Sequence, residues 1–279
     1  MAPESSPWER AVQLLKTDPA RQELAAACYY DEPLEGAARR FAASDEWQAV
    51  LTELQAWLPG RALDLGAGHG IASYGLARAG CRVIALEPDP GQVVGTQAIR
   101  RLSQKTGLAI RIVRGQGECL PFAHNVFDIV YGRQVLHHAA DLERFCREAA
   151  RVLRPGGVLL ASREHVISRP EDLGAFLADH PLQDVSGGEN AFLLEQYSQA
   201  LRNAGLSIKK VYGPYDTPMN YYPMTRQQVT RSLAARFSWL GKARSARLAA
   251  APGLQRLWGR YHSWRDRTPG RLYSFVAIK

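Results

Sequence analysis

Three glycines at alternate positions, Gly66, Gly68 and Gly70, constrain this chain more than any other feature. They follow the apolar run Ala62 to Leu65 and precede a helix-compatible segment, Ile71 to Arg78, which Gly80 stops. The pattern predicts a strand, a tight turn and a helix N-terminus. Glycine admits positive φ and leaves no Cβ between backbone and ligand. The helix start adds free N–H groups and a partial positive charge.

A second buried-strand run, Cys81 to Leu86, ends at Glu87. A carboxylate about 20 positions beyond a glycine turn is placed to accept hydrogen bonds from ribose hydroxyls. A nicotinamide-binding turn would read G-x-G-x-x-G, but here the third glycine falls at 70 and position 71 is Ile. Asp64, the G-x-G-x-G turn and Glu87 together resemble motifs I and II of class I S-adenosylmethionine (SAM) methyltransferases. That resemblance implies cofactor contacts from Asp64, Gly66, Ala67, Gly68, Gly70, Glu87 and Pro88.

From 61 to 163 the apolar period alternates between strand and helix, which predicts a parallel sheet with helices on both faces. Strand three is expected at Ala109–Val113 and strand four at Asn125–Tyr131. Leu120-Pro-Phe122 ahead of Phe127-Asp-Ile-Val130 resembles the methyltransferase group that includes ubiquinone-biosynthesis enzymes. In that group an acidic residue after strand three approaches the adenine amine. Position 116 is Gln here, a departure, and Glu118 matches the group's nearby Glu, so Gln116, Gly117 and Glu118 form the adenine-side candidates. Beyond strand four come Arg133, Gln134 and Val135-Leu-His-His138, with Asp141 as a helix N-cap. Leu142, Phe145, Cys146, Ala149 and Val152 follow at helical spacing. Arg154-Pro-Gly-Gly157 reads as a type II turn feeding strand five at Val158–Ser162. The series from Val135 to Gly157 is again like the family.

The flanks are organised differently. Residues 1–58 read as helices, a lid in which Tyr30, within Tyr-Tyr-Asp, resembles the aromatic residue that closes over the cofactor in small-molecule methyltransferases. Two tyrosines packed on the core edge fit equally. The α/β core is expected over 59–212, a basic helical cap over 213–270, and a final antiparallel strand over 271–279. The expected fold is a doubly wound, mostly parallel sheet of seven strands.

Charge separates these regions. From Thr225 onward twelve basic residues face one acid, Asp266, so this segment carries +11 of a total of +8 and the remainder carries −3. Aromatic and leucine residues interleave with these arginines. A membrane surface, RNA phosphates or a phosphorylated small molecule would each suit that composition. The plainer reading is a helical cap whose apolar stripe packs inward. No dedicated RNA-binding motif accompanies the basic segment. No apolar run approaches the roughly 18 residues of a spanning helix. The N-terminal residues lack a basic-then-apolar leader pattern, which points to a cytoplasmic protein. Cys28, Cys81, Cys119 and Cys146 are widely spaced without a C-x-x-C pair, so no metal site is expected.

Methyl transfer from a sulfonium is an in-line displacement with a neutral leaving group, so placement dominates. A base is needed where the acceptor is a hydroxyl. His137, His138 and His165 fall at strand C-terminal ends; His165, beside Arg163 and Glu164, is the first candidate base and His138 the second. A structural histidine is the competing reading for each. Gly187-Gly-Glu-Asn190 either presents a carboxylate and an amide to a polar substrate or is a solvated turn. Arg133 reaches the SAM carboxylate, an acidic substrate, or an ordinary surface ion pair. The expectation is an O-methyltransferase acting on a small or lipid-linked polar metabolite. The alternatives are carbon methylation of a quinone-like ring, RNA methylation, and SAM binding without turnover.

Overall fold

The computed structural model describes residues 6–180, 188–222 and 224–279. Four helices open the chain: α1 (Pro7–Thr17), α2 (Gln22–Ala27), α3 (Leu34–Ala43) and α4 (Asp45–Leu54). Ser6 and Ser44 cap α1 and α4 by accepting from the N–H groups of Glu9 and Trp47. The α/β units follow as β1 (Arg61–Leu65), α5 (Ile71–Arg78), β2 (Arg82–Leu86), α6 (Thr96–Thr106), β3 (Ile110–Val113), β4 (Phe127–Arg133), α7 (Leu142–Val152) and β5 (Leu153–Ile167). Asp141 caps α7 through Arg144 N at 2.9 Å. The chain continues through α8 (Asp172–Asp179), β6 (Phe192–Leu193), α9 (Leu194–Asn203), β7 (Ser207–Tyr212), α10 (Arg226–Arg236), α11 (Lys242–Ala250), α12 (Pro252–Arg265) and β8 (Arg271–Ile278).

The strands lie in the order β3-β2-β1-β4-β5-β8-β7, with β6 beside β5. The register from β3 to β5 is parallel, and β8 enters antiparallel between β5 and β7. Alternation along β1 sends Leu63 and Leu65 to one apolar layer and Ala62 to the other. Strand order reverses between β1 and β4, the crevice where open α/β sheets bind ligands.

Two sequence expectations need correction. Among the described residues the sheet has eight strands rather than seven, because the two-residue β6 pairs with Val166 and Ile167. Strand five extends to Ile167 instead of ending at Ser162. Arg163-Glu164-His165 looked like a polar exit from the sheet, yet all three are buried, at 4%, 0% and 9% exposure. Arg163 takes φ +62° where the β5–β8 register shifts between Ala161 and Glu164. Such a bulge redirects side chains, and bulges recur beside active sites.

Candidate active site

The loops that leave the carboxyl ends of β1 to β5 converge on one cavity of about 1180 Å³. Ligand pockets usually span about 300–1000 Å³, so this one has room for a cofactor and an acceptor together. Of the residues anticipated from sequence, Tyr30, Gly66, Gly68, Glu87, Pro88, Gln116, Gly117, Glu118, Arg133, Gln134, His138 and His165 line it; Asp64, Ala67 and Gly70 do not.

At one end stands the glycine turn. Gly66, Gly68 and Gly70 all take positive φ, at +59°, +57° and +89°. A Cβ at Gly68 would meet no heavy atom within 4 Å, so its backbone lies open to a ligand. Glu87 closes the turn: its carboxylate accepts from Gly68 N at 2.7 Å and Asp89 N at 3.0 Å. Each oxygen keeps a lone pair for a further donor. Burial raises the Glu87 carboxyl to about 7, against the pull of those two N–H groups. Asp64 sits inside the protein beneath the turn, accepting from Ser73 Oγ at 2.6 Å, and burial raises it to about 7 as well.

The N-terminal helices cover this end. Glu9 accepts from Gln92 N at 2.6 Å and Val93 N at 2.8 Å, and Ser6 Oγ bonds to the Asp89 carboxylate, which fastens α1 to the loop after β2. Trp8, Leu15, Cys28 and Tyr30 form the roof. The Tyr30 ring rests on His69 at 4.7 Å, and His69 bonds Tyr29 O at 3.0 Å. His69 thus faces the roof segment, and burial lowers it to about 4. On the loop after β3, Gln116 is exposed while a Glu118 oxygen accepts from Ala140 N at 2.9 Å.

Charges are managed from a distance. Arg133 and Arg163 share Glu46, at 2.6 Å and 3.0 Å, and the three side chains are 13%, 5% and 8% exposed. The pair Arg133 forms is therefore a buried one, and the surface ion pair considered from sequence is not what the fold builds. Burial works to lower Arg133, but the Glu46 carboxylate outweighs it and holds the guanidinium above its ordinary range. Glu46 escaped the sequence reading because nothing in a polar helix position announces partners 87 and 117 residues away.

A histidine cluster also lines the cavity. His137 Nδ1 lies 2.8 Å from Glu164 Oε2, whose carboxylate also accepts from Val135 N and His137 N. With Glu164 ionised, those contacts make His137 the Nδ1–H tautomer, whose Nε2 keeps its lone pair. His165 Nδ1 lies 2.8 Å from Gly270 O, an acceptor only, so its Nε2 is free in the same sense. The His137 and His165 rings are 4.6 Å apart, and the His137 and His138 rings 4.2 Å. Burial lowers His137 and His165 well below the usual imidazole range, and their neighbouring histidines add to it. Burial likewise raises Glu164 to about 7. His138, the second candidate, is exposed and bonds Gly188 O at 3.0 Å. Glu189 is buried at 8% exposure and lines the cavity, which replaces the solvated-turn reading for that residue; Gly187 lies outside the described residues. His180 completes the group, with Nε2 3.7 Å from Glu189 Oε2.

Comparison with known proteins agrees with this geometry. Residues 63–161 match the family described as Methyltransferase domain. A ubiquinone biosynthesis O-methyltransferase of Rhizobium etli is 27% identical over 188 residues, 65% of this chain and 72% of that protein. A structure titled a putative sarcosine dimethylglycine methyltransferase, from Galdieria sulphuraria, superposes with TM-score 0.55 at 21% identity over 84% of each chain. Phosphoethanolamine N-methyltransferase 2 of Haemonchus contortus, solved with S-adenosyl-L-methionine, gives TM-score 0.53 at 18% identity over 84% of this chain and 52% of that one.

Sheet order and glycine turn define the class I SAM-binding α/β fold. With the matched domain, they make the protein a SAM-dependent methyltransferase.

Proposed function

We propose that this enzyme transfers the SAM methyl group to a hydroxyl oxygen of a small molecule held between the glycine turn and the histidine cluster. The observation that carries the reading is the pair of imidazoles, His137 and His165, which line the cavity and are each held through Nδ1, so that Nε2 makes no hydrogen bond among the described residues. A thioether or an amine already carries a nucleophilic lone pair. A hydroxyl must be ionised as it attacks, and buried imidazole nitrogens serve that need. SAM supplies the electrophilic methyl. In this reading Gly66 and Gly68 let the backbone approach it, Glu87 accepts from its ribose, and the loop at Gln116–Glu118 borders its adenine. Tyr30 and α1 close over it and exclude water, while Arg133 and Gln134 border the methionine part. The O-methyltransferase name of the Rhizobium etli relative supports the oxygen acceptor.

The test is a turnover assay with methyl-labelled SAM and hydroxyl-bearing acceptors, run on wild type, His137→Asn and His165→Asn. Turnover should fall by about 100-fold or more, the scale of general acid–base contributions, with SAM affinity retained. Undiminished turnover in both variants refutes the reading.

A second surface bears on the acceptor's origin. In α10–α12 Leu233 packs inward, but Trp239, Leu257 and Trp264 stand 78%, 68% and 69% exposed among the arginines. The inward-packing stripe expected of a simple cap is therefore only partly realised. This surface suits an anionic bilayer that carries a lipid-linked acceptor.

A further inference from the structure

We infer that His137, His165 and Glu189 form a binding site for a divalent transition-metal cation, zinc being the ion whose chemistry fits best, at the acceptor end of the cavity. The three residues come from separate parts of the chain: the loop after β4, the end of β5, and the segment before β6. Their donor atoms lie within 4.8 Å of one another, and all three residues are buried. His137 Nε2 is 3.8 Å from Glu189 Oε2. Zinc binds imidazole nitrogen and carboxylate oxygen at about 2.0–2.2 Å, so tetrahedral neighbours stand about 3.4 Å apart. Small side-chain rotations would bring the group to that spacing.

Independent contacts behind the donors point the same way. Ligating histidines characteristically give their other N–H to a carboxylate or a backbone carbonyl, which fixes tautomer and ring direction. His137 does so to buried Glu164, and His165 to Gly270 O, both at 2.8 Å. Lone pairs of two imidazoles and a carboxylate converging in a buried site repel each other unless a cation or a proton donor lies among them. His180 stands beside Glu189, and its Nδ1 is buried without a hydrogen-bond partner among the described residues. Two nitrogens with one carboxylate favour zinc, cobalt or nickel over magnesium and calcium, which prefer oxygen.

The inference rests on the reading of this end as the acceptor site; with the cation bound, His137 and His165 would act as its ligands and the cation, in place of a free imidazole, would ionise the hydroxyl. Three protein ligands leave a coordination position toward the cavity. A cation held by His137, His165 and Glu189 would acidify an acceptor hydroxyl, as zinc acidifies its bound water, and that proton would pass to solvent. The O–CH3 bond then forms as the S–CH3 bond of SAM breaks, and S-adenosylhomocysteine leaves as a neutral thioether.

The test uses untagged full-length protein stripped with a chelator. Zinc and magnesium are titrated calorimetrically, and cobalt is added as a spectroscopic probe. Wild type should bind one zinc per chain, show visible cobalt bands, and ignore magnesium. His165→Asn should lose the site, and Glu164→Gln should weaken it by about 10–100-fold, the usual effect of removing a ligand's hydrogen-bond partner. Retained SAM binding reports that both variants are folded. Failure of wild type to bind zinc stoichiometrically, or unchanged zinc affinity in both variants, overturns the site. Methyl transfer to a hydroxyl that survives chelation would overturn the metal and leave the oxygen acceptor standing. Zinc uptake with the methyl delivered to nitrogen or carbon would do the reverse.

Discussion

Replacing Gly68 and Gly66 separately distinguishes a glycine kept for a ligand from one kept for the fold. Both occupy positive φ, at +57° and +59°, where an L-residue costs about 1–2 kcal/mol. A Cβ at 68 meets no protein atom, whereas a Cβ at 66 would lie 2.5 Å from Val135 Cγ2. Overpacking of that kind adds about 1–3 kcal/mol. Gly68→Ala should therefore lose about 1–2 kcal/mol of unfolding free energy and Gly66→Ala about 2–5 kcal/mol. SAM affinity should fall in Gly68→Ala by tenfold or more, about 1.4 kcal/mol, because the new methyl occupies the path of close backbone approach. Denaturant titration gives the first quantity and calorimetric SAM binding the second. Gly68→Ala protein that binds SAM within about twofold of wild type would refute the assignment of this turn to the cofactor.

Three further outcomes follow from the same geometry. Glu46→Gln leaves Arg133 and Arg163 buried without their shared carboxylate. It should cost about 3–5 kcal/mol in chemical denaturation, and a loss under about 1 kcal/mol would contradict the buried network. Asp64 moves from an ordinary 3.8 up to about 7 in the folded protein. The native state therefore holds this proton more tightly than the unfolded chain, a stabilisation present below pH 3.8 and lost as pH rises toward about 7. SAM-free Asp64→Asn keeps an acceptor for Ser73 and should gain stability relative to wild type across that window; a pH-independent difference would count against it. For the basic helices, co-sedimentation should show salt-sensitive binding to anionic vesicles, weakened in a Trp239→Ala, Trp264→Ala variant. Equal binding to neutral vesicles would argue against the electrostatic part.

Local signals made much of this molecule legible. The apolar run of β1, the glycine turn and the Asp141 cap depend on residues a few positions apart, and each stands as the sequence implied. The histidine cluster was legible only in fragments. His137, His138 and His165 were placed at strand ends by the β-α-β rhythm, but the role of Glu164 depends on pairing across 27 residues. Glu189 sits in a glycine-rich stretch whose composition suggests solvent, yet the fold buries it beside His137 and His180. The polar run Arg163-Glu164-His165 concealed the second half of β5 because strand patterns assume unpaired polar residues face water. Here every member has a long-range partner: Glu46, His137 or Gly270.

The most direct test of the central claim is to supply SAM with a 13C-labelled methyl group, together with extract from the enzyme's own source, and read the product methyl by NMR. Its chemical shift reports the atom to which the carbon is bonded. A methyl bonded to oxygen, formed by wild type and lost in His137→Asn, is the predicted result. A methyl bonded to nitrogen or carbon, or an oxygen-bonded methyl formed equally well without His137, would contradict the account.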